Sequence, residues 1–234
     1  MVWEVTRTVR VRLDVPDDRK NDLHATNSKF QYCANRTADW AWRYPEGDCV
    51  TSKSEAENAI YDDLREETAY LHANLVQKAI KRATDDIDNC VDRLADGENT
   101  SKPHYDTFSI VYDKRAATYY RDRVSLATVN GRVECEYDLP DESKSTPHGE
   151  YLLNDDYEFA TSTVHYDSEA DDFYFHAAMK QEIDASSPEK AEDSRVLGVD
   201  CNVDDHIAVT STGQFIGNAD YLNHQRREFE KRRA

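Results

Sequence analysis

A single carboxylate at the tip of an apolar run is the strongest chemical signal in these 234 residues. In VLGVD (196–200) a short hydrophobic strand delivers Asp200, and a second run, HIAVTST (206–212), follows after a turn. Strand alternation puts Leu197 and Val199 on one side, Gly198 and Asp200 on the other. A carboxylate that ends an apolar strand is partly desolvated, which is costly unless it is paired or metal-bound. Two-metal phosphodiester cleavage uses such carboxylates to hold Mg2+ ions ~4 Å apart across the scissile phosphate. The same aspartate could equally cap the turn after it. Asp204, Asp205 and His206 read as a solvated loop or as accessory metal contacts. Cys201 reads as a small buried apolar residue, because no neighbouring base or basic cluster would activate its thiol.

Two groups of cations could meet phosphate. Arg226, Arg227, Lys231, Arg232 and Arg233 lie within eight residues, against Glu228 and Glu230, a local reversal of sign in an acidic chain. Five phosphate contacts would give a strongly salt-dependent affinity, whereas a solvated helix face with ion pairs at i,i+4 is the plainer alternative. Arg7, Arg10 and Arg12 are interleaved along the first strand and form the second candidate group. Trp40, Trp42 and Tyr44 cluster at a helix end; such rings stack on unpaired bases or, more commonly, pack in cores and interfaces. His165 and His176 read as cross-strand packing. The Cys residues (33, 49, 90, 135 and 201) form no CxxC and no zinc-like spacing, so they read as reduced, mostly buried thiols and the chain as having no zinc site.

The elements that position these residues follow from periodicity. Residues 2–15 alternate as a strand with Val5, Val9, Val11 and Leu13 near one face, ended by Pro16. Asp17 or Asp18 is placed to cap a helix that carries Leu23, Phe30, Ala34, Ala38 and Ala41 on its apolar stripe. A second helical block, 54–94, is long enough for two helices with a break near Glu66–Thr68, and Gly97 closes it. After His104 the period becomes that of strands. VSLATVNGRVECEYDL is the best hairpin, with Asn130-Gly131 supplying a type I′ turn and Val124, Leu126 and Thr128 answered by Val133, Cys135 and Tyr137. A second hairpin sets Val164 and Tyr166 against Phe173, Phe175 and Ala177. PDESKSTPHGE is a loop, 184–194 a polar linker, and DYLNHQRREFEKRRA a helix. The pattern predicts an α+β fold: a β-barrel-like module with a helical insertion, then the opening strands of an α/β domain.

VLGVDCNVDDHIAVTSTGQFIGNADYLNHQRREFEKRRA resembles the first RuvC motif and following helix of TnpB-type proteins. These are transposon-encoded, RNA-guided DNA nucleases related to type V CRISPR effectors. The resemblance extends back through YDKRAATYYRDRVSLATVNGRVECEYDLP and HYDSEADDFYFHAAMKQE. It implies a wedge-like β module (1–16 and 102–183), a helical recognition insert (17–101), a linker (184–194) and an incomplete RuvC-like, ribonuclease-H-like nuclease segment (195–234). It implies Asp200 as the first catalytic, Mg2+-binding aspartate, and the basic C-terminal helix as one lying along a guide–target duplex. Guide RNA and target DNA are the implied partners. The family has Leu and Gly after this aspartate, where Cys201 and Asn202 stand here. It completes its site with a Glu and a second Asp further along, and carries a CxxC…CxxC zinc segment. The expectation is therefore a fragment that binds RNA or an RNA–DNA duplex without cleaving alone, with a second polypeptide as the source of the missing carboxylates. The alternatives are a non-enzymatic remnant or regulator competing for the transposon RNA, and a sugar-kinase- or actin-like ATPase, whose first hairpin also reads GxD…TxG.

The formal charge is −18, with 47 Asp plus Glu against 29 Lys plus Arg. Taken alone this disfavours nucleic acid, because phosphate binding rests on cations. The acid is spread along the chain, however, and Lys is scarcer than Arg, as suits a halophilic cytoplasm where the Debye length shrinks to ~3 Å. No run of ~18 apolar residues predicts a membrane span, and MVWEVTRTVRVRL lacks the apolar stretch of a signal peptide, so the cytoplasm is the expected compartment. The charge balance predicts that raising KCl from 0.1 to 2 M increases the melting temperature by at least about 5 °C, as followed by circular dichroism.

Overall fold

The computed structural model describes residues 2–140, 146–184, 199–201, 208–210 and 214–217, together with residues 223, 224, 226, 227, 229 and 231. The chain divides into two compact units, Glu4–Ile183 and a smaller one of Met1–Trp3 with Asp184–Ala234. The architecture is mixed α/β. No helix among the described residues is long and apolar enough to cross a membrane.

In the larger unit, which holds all but the first two residues of β1 (Val2–Asp14), that strand is followed by a short helical turn, Asp17–Arg19, and by α1 (Lys20–Ala41), α2 (Lys53–Glu67) and α3 (Ala73–Ala95). Then come β2 (Ser109–Tyr112), β3 (Ala117–Tyr119), β4 (Arg123–Thr128), β5 (Gly131–Asp138), β6 (Glu158–Phe159), β7 (Ser162–Asp167) and β8 (Asp172–Asp184). The strand order is β2-β7-β8-β1-β5-β4-β3, with β6 added to β8. The two end strands are consecutive in sequence, joined by a short turn in which Ala116 and Ala117 donate their N–H groups to the Asp113 carbonyl. Two phenols seal the gap between them. The Tyr119 hydroxyl donates to the Tyr112 carbonyl, and the Tyr112 hydroxyl to that of Ala127, both at 3.0 Å. The sheet is therefore nearly closed and barrel-shaped, which leaves few unpaired edge groups.

The interior is filled by alternation. Val9, Val11 and Leu13 of β1, Val124 and Leu126 of β4, Val133, Cys135 and Tyr137 of β5, and Phe173, Phe175, Ala177 and Met179 of β8 are all buried. Val5 is only half-buried. The expected registers hold, with Val124 opposite Cys135, Leu126 opposite Val133, Val164 opposite Phe175 and Tyr166 opposite Phe173. A column of rings, Tyr137–Phe175–Tyr119–Phe159, runs through strands from both sides of the seam with centroids 5.0–5.9 Å apart. Burial pushes the Cys33 thiol up to about 11 and the Cys135 thiol up to about 12, which keeps both protonated and unreactive.

α1 supports this barrel with both an apolar stripe and a polar one. Leu23, Phe30, Cys33, Ala34, Ala38 and Ala41 are fully buried. On the neighbouring face, Thr26 accepts from Val129 N–H, Asn27 from Ser109 N–H and Asn35 from Tyr105 N–H, while the Asn35 amide donates back to the Tyr105 carbonyl. α2 ends at Glu67, inside the predicted break, and Gly97 stops the chain after α3 at φ +80°.

Four local expectations are corrected. Asp17 and Asp18 lie in the first turn without a side-chain capping bond, because Pro16 precedes the turn and the α-helix proper starts at Lys20. The β4–β5 turn is not type I′: Thr128 pairs with Gly131, so Val129 and Asn130 are its central residues, and Gly131 alone of the Asn-Gly pair has positive φ, +98°. Tertiary contacts hold Asn130 there, since its amide donates to Asp22 and its carbonyl accepts from Arg19. Within the expected 140–150 loop, a helical turn, His148–Leu152, buries Leu152. A further short strand, β11 (Phe215–Ile216), precedes the C-terminal helical residues.

Tyr112→Phe leaves the buried Ala127 carbonyl without its donor, an expected loss of about 1–3 kcal/mol in urea unfolding. Tyr32→Phe, which removes an exposed bond to Glu67, is the control and should cost under about 1 kcal/mol.

Candidate nucleic-acid interface

The predicted residues fall in both units. In the smaller unit, β9 (Val199–Cys201), β10 (Ala208–Thr210) and β11 form an antiparallel three-stranded sheet in the order β11-β10-β9. Asp200 is the central residue of β9, opposite Val209, with Cys201 opposite Ala208 and Val199 opposite Thr210. Ala208 and Thr210 are buried. Thr210 and Gln214 exchange backbone and side-chain bonds that close the β10–β11 turn. The β structure of this hairpin follows from Val199, Val209 and Thr210, β-branched residues that suit a pleated, half-buried surface.

Asp204, Asp205 and His206 lie outside the described residues, as do residues 196–198, so the expected alternation there finds no counterpart to compare. Among the described residues no three His, Cys, Asp or Glu side chains converge where a metal ion could be held.

Of the C-terminal basic group, Arg226, Arg227 and Lys231 are helical and exposed, together with His224 and Phe229. Arg227 and Lys231 stand one turn apart on a shared face. Phe229 is 60% exposed. Arg232 and Arg233 lie outside the described residues.

The first-strand arginines belong to the larger unit and do not act as one group. Arg10 and Arg12 alternate with the buried Val9, Val11 and Leu13 and therefore share the outer face of the barrel. Arg12 is held by two carboxylates, Asp138 at 2.8 Å and Asp172 at 3.3 Å. Arg7 has the opposite parity, is exposed, and donates to the Thr6 carbonyl. Arg10 lies 3.7 Å above the ring of Tyr174 on β8, a close cation–π contact. Among the described residues it has no carboxylate within ion-pair distance. Its own carbonyl is bonded by the His148 ring at 3.0 Å, which fixes the strand at that point.

Beside this pair, His165 and His176 stack across β7 and β8 with centroids 4.3 Å apart, the cross-strand packing expected from sequence. Trp40 and Trp42 are partly buried against the core, as expected for packing, while Tyr44 stays half exposed. Sequence reasoning missed Tyr174 and its contact with Arg10. The signal was present only as alternation in β1 and β8, because the adjacency of these strands is a long-range fact of the barrel.

No family model matches this chain, and no curated protein matches it.

Proposed function

We propose that these residues belong to a TnpB-like nuclease of RNA-guided type, and that they bind structured guide RNA or an RNA–DNA duplex by shape and backbone charge without cleaving by themselves. The observation that carries the reading is the register of the smaller unit. An antiparallel meander sets Asp200 at the centre of its first strand, and helical residues rich in exposed cations follow. That order of strand, strand, strand and helix, with an aspartate on the first strand, is how a ribonuclease-H-like sheet opens. The barrel with its helical insertion is consistent with the wedge-like module that the resemblance implies.

The restriction to binding rests on the resemblance and on stoichiometry. A two-metal site needs several convergent carboxylates, of which the resemblance identifies only Asp200 here, and one aspartate does not hold two Mg2+ ions with useful affinity. The acidic surface elsewhere confines phosphate contacts to local cations, of which Arg226, Arg227 and Lys231 form one exposed group.

Filter binding of structured transposon-end RNA across a KCl series tests this reading. The expected result is measurable affinity whose logarithm falls linearly with log salt, at ~0.7–0.9 per phosphate contact. R226E/R227E/K231E should reduce that slope by about 2–3 and weaken binding at least about tenfold, whereas Asp200→Ala should leave binding unchanged. Absence of RNA binding would overturn the proposal. Mg2+-dependent DNA cutting that disappears in Asp200→Ala would overturn its restriction to binding.

A further inference from the structure

The outer face of the barrel carries an open groove of about 500 Å³ that the preceding reading does not use. It is lined by the stacked pair His165 and His176 and by Arg10, which lies on Tyr174. Asp167 and Glu169 of the β7–β8 turn complete the lining. A volume of this size exceeds what a lone oxyanion needs and falls in the range of small-molecule sites.

We infer that this groove binds a ribonucleotide phosphodiester, with the phosphate on Arg10 and the protonated histidines, a base against the imidazole faces, and ribose hydroxyls on the turn carboxylates. This deepens the nucleic-acid reading above and rests on it for the choice of RNA probes.

Three observations and one chemical precedent support the assignment. Arg10 is fixed by its ring contact, yet among the described residues none accepts a hydrogen bond from its guanidinium, so its donors remain for a ligand. A second cation, Arg82 of α3, is held near His165 by its bond to the carbonyl of Ser109, the residue paired with His165 across β2 and β7. The two imidazoles present a ready-made aromatic platform, and stacking of this kind tolerates any base. Carboxylates that accept from ribose hydroxyls are a common means of recognising a ribonucleotide.

The same arrangement makes occupancy depend on pH. Burial first, then His176, Arg82 and Arg10, hold His165 below the ordinary histidine range; burial and then Arg10 do the same for His176. The other groups about the pair are Thr163, whose hydroxyl is hydrogen-bonded to His165 Nε2 at 2.9 Å, Tyr166, whose hydroxyl donates to Asp171, Tyr174 beneath Arg10, Glu169, and Asp167, whose carboxylate already accepts the N–H groups of Glu169 and Ala170. Near neutrality both rings are uncharged. A seated phosphodiester offsets the cationic repulsion and raises both histidines, so by linkage binding strengthens as pH falls through the histidine range.

The test is an NMR titration of the histidine Hε1 resonances in the intact chain with uridylyl-3′,5′-uridine, a diester whose own charge is constant between pH 5 and 8. The expected result is a shift of the His165 and His176 signals, affinity at least about tenfold higher at pH 5.5 than at 7.5, and weaker binding of the deoxy dinucleotide. H165Q/H176Q should abolish the pH dependence, and Arg10→Gln should weaken binding at both pH values. A single-stranded 15-mer of uridine separates the sources: much tighter binding with the same pH profile identifies an RNA chain, and equal affinity identifies a small dinucleotide. Unmoved His165 and His176 signals, or an affinity independent of pH, overturn the inference. Structured RNA that still binds in that case leaves the reading of the C-terminal helix standing. A retained histidine response in a chain that fails to bind structured RNA supports the groove and defeats only that broader reading.

Discussion

The seam between β2 and β3 is the constraint on which the larger unit depends. These strands lie at opposite ends of the sheet order but are consecutive in the chain, so a short turn must bring the ends of the sheet together. Asp113 anchors that turn. Burial pushes its carboxyl up, but bonds from Arg115 and Lys78 outweigh this and hold it below the ordinary carboxylate range. The phenols of Tyr112 and Tyr119 then bond carbonyls across the seam from within the barrel. Buried polar groups are tolerated when every donor finds an acceptor, and these tyrosines combine large apolar rings with one satisfied hydroxyl each.

Closure has consequences for the outer face. Once β1 lies between β8 and β5, its outward arginines meet side chains distant in sequence. Arg12 meets Asp138 and Asp172 and is neutralised, whereas Arg10 meets an aromatic ring and keeps its charge available. One strand thus yields two arginines of different use, decided by neighbours rather than by residue type.

Much of this fold was legible from alternation and helical period. The hairpin registers, the apolar stripe of α1, the break after Glu67 and the closing role of Gly97 all follow from local patterns. Three features were not. The polar residues Thr26, Asn27 and Asn35 lie outside the apolar stripe readable in sequence but bond the backbone of Tyr105, Ser109 and Val129, because backbone groups packed against the helix need partners that only the folded helix supplies. The β4–β5 turn shifted by one residue because Asn130 is held from α1 and from the turn before it. Tyr174 escaped notice because its partner is more than 160 residues away in the chain. At the smaller unit, the strand carrying Asp200 and its pairing with AVT (208–210) were readable from the β-branched run, whereas the chemistry of the aspartate depends on neighbours that a single strand does not specify.

The central claim is that an otherwise acidic chain presents local cations and aromatic faces, in each of its two units, to nucleotides and phosphates. Photocrosslinking of 4-thiouridine-substituted RNA to the intact chain, with tryptic mass spectrometry of the adducts, tests this most directly. The account predicts adducts concentrated on the peptides that carry Tyr174 and Phe229. Adducts distributed evenly over the acidic surface, or confined to peptides of α2 and α3, would contradict it.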